Sequence, residues 1–389
     1  MRRGYTPESP LSREFIYGIR SVDEAVVSAE RLASEGLFVI ANETIDIHDG
    51  GVSGVAMGDV LEFSPDDTPR CVEKPGTASL PRHWGIGALS LVYGFRPDIN
   101  VPRKSRLEFS IHPRPRGWRH THTLGWEFAE VESTGIRARL SWPNRFSRMI
   151  GDKVFGLLVA HLAGLPVPQT TVLNRRVAPF TFGRPTGSSE VWLRTSPYKQ
   201  VPGKFTTRKG WSDPFELLGQ EDPQGNELAS VLSQAAVPSH YAGAAIMTAD
   251  DKIVIEGKAG DGDTFMQGTS LPEDLPSDVR NSILELYRRA SSFLGAVRFE
   301  WVFDGKVAWI VQLHRGATQT TADVLVPGEA EHWVAFDVKE GLENLRKAIS
   351  HLEPGAGLVL RGEVGLTSHV ADVIRRAGVP ARIASSREN

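Results

Sequence analysis

The chain has 389 residues, a formal net charge of −3 at pH 7, and 40% hydrophobic and 23% charged residues. Its length allows roughly two or three domains with separate cores, and its composition is that of a soluble globular protein. The charge argues against a general nucleic-acid binder, and the single cysteine, Cys71, excludes an internal disulfide framework. The sequence shows neither a membrane span nor the apolar core of a signal peptide, so we expect a cytoplasmic protein.

The first part of the chain has strand-like apolar patterns separated by turns. They occupy residues 15–21, 50–57, 71–76 and 107–112, with a returning strand to Trp126. The tip of the last hairpin, residues 114–122, is basic and aromatic, which is typical of a solvated turn but would also suit an anionic acceptor or nucleic acid. His120 and His122 share one strand face but lack the third convergent ligand that a metal site needs.

Residues 149–315 carry a series of helix and strand patterns with basic residues near their ends. Lys153 begins a helical apolar pattern that ends at Gly164, and a strand is predicted at residues 170–173. Arg194 lies at the end of a buried strand, where its guanidinium can grip phosphate oxygens. Lys204, in a Pro-Gly-Lys-Phe loop, would supply a further donor.

Two strands and a hairpin follow in the same region. The strands are predicted at residues 239–246 and 253–256, the second ending at Glu256 before a glycine-rich loop, and residues 298–312 form a hairpin with Asp-Gly at its turn. Period-two alternation places Glu300 and Gln312 on adjacent strands, so that two oxygen-bearing side chains converge. Such oxygens suit Mg²⁺, which takes its remaining ligands from water and phosphate.

After a polar boundary at residues 316–321, the C-terminal part alternates between strands and helices. The pattern predicts a strand at 333–336, a helix at 342–352, a strand at 357–360 and a helix at 370–377. His369 stands at the start of the last helix, in Gly-Leu-Thr-Ser-His-Val-Ala. Free backbone N–H groups and the helix dipole favour negative charge there, so a phosphate on the imidazole would be stabilised; the structural alternative is a Ser-His helix cap.

In this order the motifs resemble the phosphoenolpyruvate-utilising, pyruvate, phosphate dikinase-like family, to which rifampicin phosphotransferase and PEP synthase belong. The family patterns are Gly-Gly-Lys, Val-Arg-Ser-Ser, Glu-Trp…Gly…Ile-Leu-Gln-x-Arg and Gly-Gly-x-Thr-Ser-His-x-Ala. The resemblance covers residues 149–315 and 357–383. It departs at Asp152 and Val364, which replace glycines, and at His314, which replaces an arginine.

The resemblance implies an α/β (α+β) fold with an ATP-grasp nucleotide-binding domain at residues 141–318 and a shortened swivelling phosphohistidine domain at 325–389. Residues 1–140 look like a worn copy of the back half of the ATP-grasp domain. Four segments of the first part match four segments of the second in the same order. The pairs are residues 15–21 with 191–196, 50–57 with the strand around Gly243, 71–76 with 254–260, and 107–126 with 299–312. We expect a degenerate half-repeat that packs on the active half or forms a dimer surface; a second nucleotide or effector site is the alternative.

By the same resemblance the cofactors are ATP and Mg²⁺, and His369 and Arg194 are the catalytic residues. The residues expected to bind the nucleotide are Lys153, Arg194, Lys204, Glu256, Glu300 and Gln312. Glu300 and Gln312 are expected to hold the metal as well.

These residues predict an ATP-dependent phosphotransferase that passes a phosphoryl or pyrophosphoryl group through His369 to an unidentified small-molecule or protein acceptor. One alternative is an ATP-grasp carboxylate–amine ligase in which His369 only caps a helix. Another is a non-catalytic ATP-binding regulatory or scaffold protein. The sequence leaves no room for the family's pyruvate-binding barrel, so a partner subunit supplying the acceptor domain, or a homo-oligomer, is left open.

Overall fold

The computed structural model describes residues 2–6, 9–16, 19–41, 48–67, 75–116, 120–131, 136–198, 207–261, 272–316, 324–362 and 364–384. The chain divides into two compact units, Met1–Arg82 with Pro97–Ala138, and His83–Arg96 with Arg139–Asn389. Each unit combines helices with β-sheets, so the expected α/β (α+β) fold class is confirmed. The division into three domains stays a prediction. None of the helices in the described ranges is both long and apolar enough to span a bilayer.

The first unit opens with a three-stranded antiparallel sheet and one helix. The strands, in the order β2-β1-β3, are β1 (Arg2–Thr6), β2 (Ser9–Ile16) and β3 (Phe38–Ala41), and the helix is α1 (Val22–Ser34). Ser21 caps α1 by accepting a hydrogen bond from the backbone N–H of Glu24 at 3.2 Å. The predicted strand at residues 15–21 is therefore wrong, because this segment contains the end of β2 and the cap of α1.

A five-stranded antiparallel sheet makes up the rest of the first unit. Its strands, in the order β6-β5-β4-β7-β8, are β4 (Val52–Met57), β5 (Val60–Pro65), β6 (Ala78–Pro81), β7 (Ser105–Arg116) and β8 (Thr121–Glu130). The long β7–β8 hairpin matches the one predicted from residue 107 to Trp126. Strands β4 and β5 are buried along most of their length, so they form the centre of this sheet.

The second unit begins with four helices and a five-stranded sheet. The helices are α2 (Arg82–Tyr93, of which Arg82 belongs to the first unit), α3 (Arg145–Ile150), α4 (Asp152–Leu162) and α5 (Pro214–Glu221). The strands, in the order β10-β9-β13-β11-β12, are β9 (Thr170–Asn174), β10 (Phe180–Phe182), β11 (Val191–Pro197), β12 (Thr207–Lys209) and β13 (Leu228–Ala235). Helices α3, α4 and α5 pack against this sheet. The helix predicted to end at Gly164 and the strand predicted at 170–173 are confirmed as α4 and β9.

A four-stranded antiparallel sheet follows, with a helix on one face. The strands, in the order β15-β14-β16-β17, are β14 (Tyr241–Met247), β15 (Ile253–Ala259), β16 (Val297–Phe303) and β17 (Ala308–Arg315), and the helix is α6 (Ser277–Leu294). Tyr287 of α6 stacks on Phe299 of β16, with ring centroids 5.8 Å apart. The alternating burial of β16 leaves its other face half-buried, as expected for a strand with one face on a core. The predicted Asp-Gly hairpin is confirmed.

The C-terminal part of the second unit is a small α/β element with its own hydrophobic core. Its strands, in the order β18-β21-β20-β19, are β18 (Val324–Val326), β19 (His332–Asp337), β20 (Ala356–Arg361) and β21 (Ala381–Ile383), and its helices are α7 (Gly341–Ser350) and α8 (His369–Ala377). The two strands and two helices predicted here are confirmed. Helix α8 begins after Ser368, whose hydroxyl caps Ala371 N, and ends at Gly378 with a left-handed φ of 65°.

Two of the sheets share one strand order, β5-β4-β7-β8 in the first unit and β15-β14-β16-β17 in the second. Each also has a bulge directly after a paired glutamate: Glu108 pairs with Glu127 but Phe109 with Gly125, and Glu300 pairs with Gln312 but Trp301 with Ile310. The strand in the place of β15 is thus β5, not residues 71–76 as predicted. Residues 71–74 themselves lie outside the described residues.

Candidate functional site

The antiparallel sheet β15-β14-β16-β17 of the second unit carries a row of polar side chains on its half-buried face. Ala244 pairs with Glu256 on one side and with Glu300 on the other, and Glu300 pairs with Gln312. Directly paired residues point to the same face, so the three oxygen-bearing side chains form one line across the sheet. Glu300 and Gln312 lie on strands about 4.8 Å apart, and Glu256 is about 10 Å from Glu300 with only the methyl group of Ala244 between them.

A bulge in β17 connects this row to the five-stranded sheet. Val311 is the extra residue between the pairs of Glu300 with Gln312 and Trp301 with Ile310. Its carbonyl oxygen accepts a hydrogen bond of 2.8 Å from Nη1 of Arg194. Arg194 lies at the centre of β11, not at the end of a strand as predicted, because β11 continues to Pro197. The bulge therefore brings Arg194 to the row of Glu300 and Gln312, in agreement with the frequent use of bulges beside functional sites.

Lys153 reaches the same place from the first turn of α4. Its Nζ donates to the carbonyl oxygen of Thr195 on β11 at 3.2 Å. Burial and the positive charges of Arg194 and Arg376 lower the pKa of Lys153 to about 8, while Glu300 opposes this effect. A lysine beside two guanidinium groups is unfavourable on its own, so this cluster is suited to an anionic ligand.

The glycine before α4 permits this approach. Gly151 has a φ of 97°, and a Cβ there would lie 2.3 Å from Oγ of Ser196. The next residue, Asp152, replaces a glycine of the resembling family and has a structural role instead. It is buried, and it accepts a hydrogen bond of 2.6 Å from Oγ of Ser147 in α3. Burial raises the pKa of Asp152 and the bond from Ser147 opposes the rise, so this carboxylate fixes the junction between α3 and α4.

Arg194 keeps part of its hydrogen-bonding capacity. Its Nε is buried and has no hydrogen-bond partner among the described residues. Burial of an unpaired donor costs about 1–3 kcal/mol, and a phosphate oxygen would remove that cost.

His314 stands where the resembling family has an arginine, and it is neutral. Burial and the nearby Arg298 and Arg376 lower the pKa of its imidazole to about 3. Nε2 of Gln312 donates to Nε2 of His314 at 3.0 Å, and the ring stacks on Trp142 at 5.9 Å. The histidine therefore orients the amide of Gln312 instead of adding positive charge.

The loop before His369 is hydrogen-bonded to the far end of the row. The carboxylate of Glu256 accepts from the backbone N–H groups of Leu366 (3.0 Å) and Thr367 (2.8 Å) and from the Thr367 hydroxyl (2.6 Å). Both Nη atoms of Arg375 donate to the carbonyl oxygen of Leu366 at 2.9 Å. The loop that carries His369 is thus held from the sheet and from its own helix.

Helix α8 makes a second contact with the sheet through an ion pair. Nη1 of Arg298, two residues before Glu300 on β16, lies 2.8 Å from Oδ1 of Asp372, which also accepts from Arg375 at 2.8 Å. Burial would raise the pKa of Asp372, but the charges of Arg298 and Arg375 hold it at about 2. The carboxylate is therefore ionised at neutral pH and fixes α8 over the half-buried face of the sheet.

The structure brings together most residues of the predicted site. Lys153, Arg194, Glu300 and Gln312 converge, and Glu256 stands in the same row with its carboxylate bound to the His369 loop. Lys204 lies outside the described residues. The functional roles of these residues, and of His369, stay predictions.

Three residues escaped the sequence analysis: Arg298, Asp372 and Arg376. The sequence did contain a signal for them. Arg298 is two residues from Glu300, so both point to the same face of a strand, and Asp372 and Arg376 follow His369 at helical spacing.

The first unit repeats the row in a modified form. Val55 pairs with Glu62 and Glu108, and Glu108 pairs with Glu127. Here the arginine equivalent to Arg298 is Arg106, and it pairs with Glu108 itself at 2.6 Å. The glutamate at the position of Glu300 is therefore neutralised within its own strand.

A buried hydrogen-bonded network lies on the same β7 strand. Nε2 of His112 is 2.8 Å from Oγ of Ser110, and its Nδ1 is 2.8 Å from a carboxylate oxygen of Asp49. Ser110 is fully buried and also accepts from Nε1 of Trp126 at 2.8 Å. A serine enclosed in this way is not accessible to a substrate, so the network is structural.

The two histidines of the hairpin tip do not form a metal site. His122 uses Nδ1 to bond the carbonyl oxygen of His112 at 2.8 Å, while His120 is exposed with a φ of 48°. Within the described ranges, no group of at least three His, Cys, Asp or Glu side chains could hold a metal ion by itself. Mg²⁺ needs fewer protein ligands when a nucleotide supplies oxygens, and Glu300 and Gln312 present two.

No protein-family model and no curated protein sequence matches the chain. Solved structures match part of it, and three of them are described by identity, TM-score and the share of each chain covered. They are the D-alanine–D-alanine ligase of Helicobacter pylori (11% identity, TM-score 0.29, 44% of this chain and 52% of that chain), the RimK domain ATP-grasp protein of Sphaerobacter thermophilus (17%, 0.27, 43% and 59%) and the macrocyclase MdnB of Microcystis aeruginosa (12%, 0.26, 45% and 55%).

The match spans little more than half of the length of those structures. One of the three is named a ligase and another an ATP-grasp protein. At these identities and TM-scores the likeness carries no conclusion about the activity or substrate of this chain.

Proposed function

We propose that the second unit is an ATP-grasp-type enzyme that binds Mg-ATP on the row of Glu256, Glu300 and Gln312 and transfers a phosphoryl group. The observation that supports this most strongly is the convergence of Lys153, from helix α4, and Arg194, from the five-stranded sheet, on the paired Glu300 and Gln312. Cations bound to backbone carbonyls beside two oxygen ligands suit a polyphosphate with its metal.

In this proposal each residue has an electrostatic or positioning task. Glu300 and Gln312 would hold Mg²⁺, which when bound would supply positive charge to neutralise the phosphates. Lys153 and Arg194 bind the remaining phosphate oxygens, and neutral His314 keeps the Gln312 amide in place. Phosphoryl transfer needs little covalent chemistry from the protein, so such positioning and charge neutralisation supply most of the catalysis.

The acceptor we place first is His369 of the same chain. Its loop is bound to Glu256 at one end of the row, which supports an acceptor on this loop. A neutral ring nitrogen would form a P–N bond as the bond to the departing nucleotide breaks, giving a phosphoryl or pyrophosphoryl histidine that later reacts with a second acceptor.

The second candidate is a carboxylate–amine ligase, which the names of the matched structures favour. There the γ-phosphoryl group passes to a substrate carboxylate, ADP leaves, and an amine displaces the phosphate. His369 is then only the first residue of α8. This candidate requires a carboxylate and an amine for turnover and leaves no label on the protein.

The experiment is incubation of the protein and its His369→Ala variant with Mg²⁺ and ATP labelled at either the β or the γ phosphate. Acid-labile, base-stable label on the wild type alone supports a phosphohistidine, and the label that persists separates phosphoryl from pyrophosphoryl transfer. ADP release that depends on a carboxylate and an amine, without protein label, supports the ligase. ATP binding without turnover under any of these conditions would leave the regulatory or scaffold alternative.

A further inference from the structure

Helix α8 presents a polar stripe to the nucleotide row. His369, Asp372 and Arg376 follow one another at three- and four-residue intervals, so they lie on one side of the helix. The apolar residues between them, including Val370, Val373 and Ile374, are buried in the C-terminal core. The stripe therefore faces away from that core.

The ion pair of Asp372 shows where the stripe lies. Asp372 bonds to Arg298, which shares the half-buried face of β16 with Glu300 and pairs in register with His314. Arg376 is one helical turn beyond Asp372, about 6 Å further along the axis. It interacts electrostatically with Lys153, Glu300 and His314, which surround the proposed phosphate site.

The charges around Arg376 favour an anion. Asp372 is already shared by Arg298 and Arg375, and Glu256 is bound by the His369 loop. Lys153 and Arg194 each donate to a backbone carbonyl oxygen. The Arg376 residue is exposed, but burial is the main cause that lowers the pKa of its guanidinium, so the charged end lies against the cleft while a ligand can still reach it.

We propose that Arg376 binds the phosphate chain of the nucleotide, so that helix α8 of the C-terminal element completes a site otherwise formed by the two preceding sheets. This inference rests on the proposed Mg-ATP site and names a further residue of it. Docking of α8 then raises the affinity for phosphates and places His369 beside them in the same step.

The test measures the dissociation constants of Mg-ATP, Mg-ADP, AMP and adenosine for the wild type and for Arg376→Gln. Glutamine preserves helix propensity, so the variant is expected to fold, and thermal unfolding of both proteins verifies this. The control is Arg361→Gln, an exposed arginine on β20 of the same element. Arg376→Lys shows how much a positive charge alone restores.

We expect Arg376→Gln to weaken Mg-ATP binding at least tenfold and to leave adenosine binding within about twofold of the wild type, with Arg361→Gln unchanged for both. The loss should grow along the series from adenosine to ATP. Equal Mg-ATP affinity in the wild type and Arg376→Gln would overturn this inference while leaving the Mg-ATP site intact. A uniform loss for all four ligands would do so too, because it would indicate a purely structural role. Absence of Mg-ATP binding by the wild type would refute the proposed function itself.

Discussion

The ion pair between Arg298 and Asp372 gives the strongest quantitative prediction, because it fixes α8 to the sheet that carries Glu256, Glu300 and Gln312. The pKa of Asp372 falls from an ordinary 3.8 to about 2 in the folded protein. A difference of about 1.8 pKa units corresponds to about 2 kcal/mol of folding free energy at neutral pH. Its side chain is 24% exposed, so solvent screening reduces this value only modestly. We expect Asp372→Asn to destabilise the protein by about this amount at pH 7.

The pH dependence of the loss follows from the direction of the shift. Because the folded pKa is depressed, the contribution is complete above the unfolded pKa of 3.8 and is lost as the pH falls toward about 2. A protonated aspartic acid resembles asparagine, so the wild type and Asp372→Asn should differ in stability by a constant amount above about pH 5. Below about pH 4 the difference should shrink.

The assay is urea unfolding followed by tryptophan fluorescence between pH 3 and pH 8, with both proteins measured at every pH. An Arg298→Gln variant and the double variant complete a cycle, and their losses should be less than additive since the two residues share one bond. Equal stability of the wild type and Asp372→Asn at pH 7, or a difference that persists unchanged to pH 3, would refute the assigned role of this ion pair.

Three further outcomes follow from the structure. Because the Lys153 pKa is about 8, Mg-ATP affinity should fall about tenfold per pH unit above pH 8, whereas Lys153→Arg should remove this dependence; titration calorimetry from pH 7 to 9.5 checks both. Gly151→Ala should cost on the order of 2–4 kcal/mol in urea unfolding, since its Cβ would overlap β11, while the matched Gly164→Ala, also at positive φ but in open space, should cost about 1 kcal/mol. His112→Ala should destabilise the first unit by about 3 kcal/mol, because it removes the buried hydrogen bonds to Ser110 and Asp49. Hydrogen exchange should then become faster at the backbone amides of β7, and an unchanged exchange pattern would contradict this.

Local patterns were sufficient to predict several elements of the second unit, although α5, α6 and β13 were not among them. Alternating burial and an Asp-Gly turn predicted the β16–β17 hairpin, and helical periodicity predicted α4 and α8. The convergence of Glu300 with Gln312 also followed, since cross-strand pairing in a tight hairpin is a local property.

Long-range contacts could not be predicted in this way. The bonds from Glu256 to Thr367 and from Arg298 to Asp372 join residues separated by 111 and 74 positions, and no periodicity encodes such pairs. In the first unit, apolar patterning placed a strand at 15–21 because it cannot distinguish the end of a strand from a serine that caps the next helix. The sequence comparison aligned residues 71–76 with β15, whereas the equivalent strand is β5. The cause is related, because degenerate repeats preserve the order of their strands better than the identity of their residues.

The bulge at Val311 separates two tasks of β17. Side chains alternate between the two faces of a sheet, so Ile310 beside Trp301 and Gln312 beside Glu300 already stand on opposite faces, and Val311 is not needed to place them. Deleting Val311 would therefore keep Gln312 and His314 on the face of Glu300, but it would remove the carbonyl oxygen to which Arg194 donates. The extra residue in this hairpin thus serves the contact with the five-stranded sheet, whereas the row of polar side chains depends on strand pairing alone.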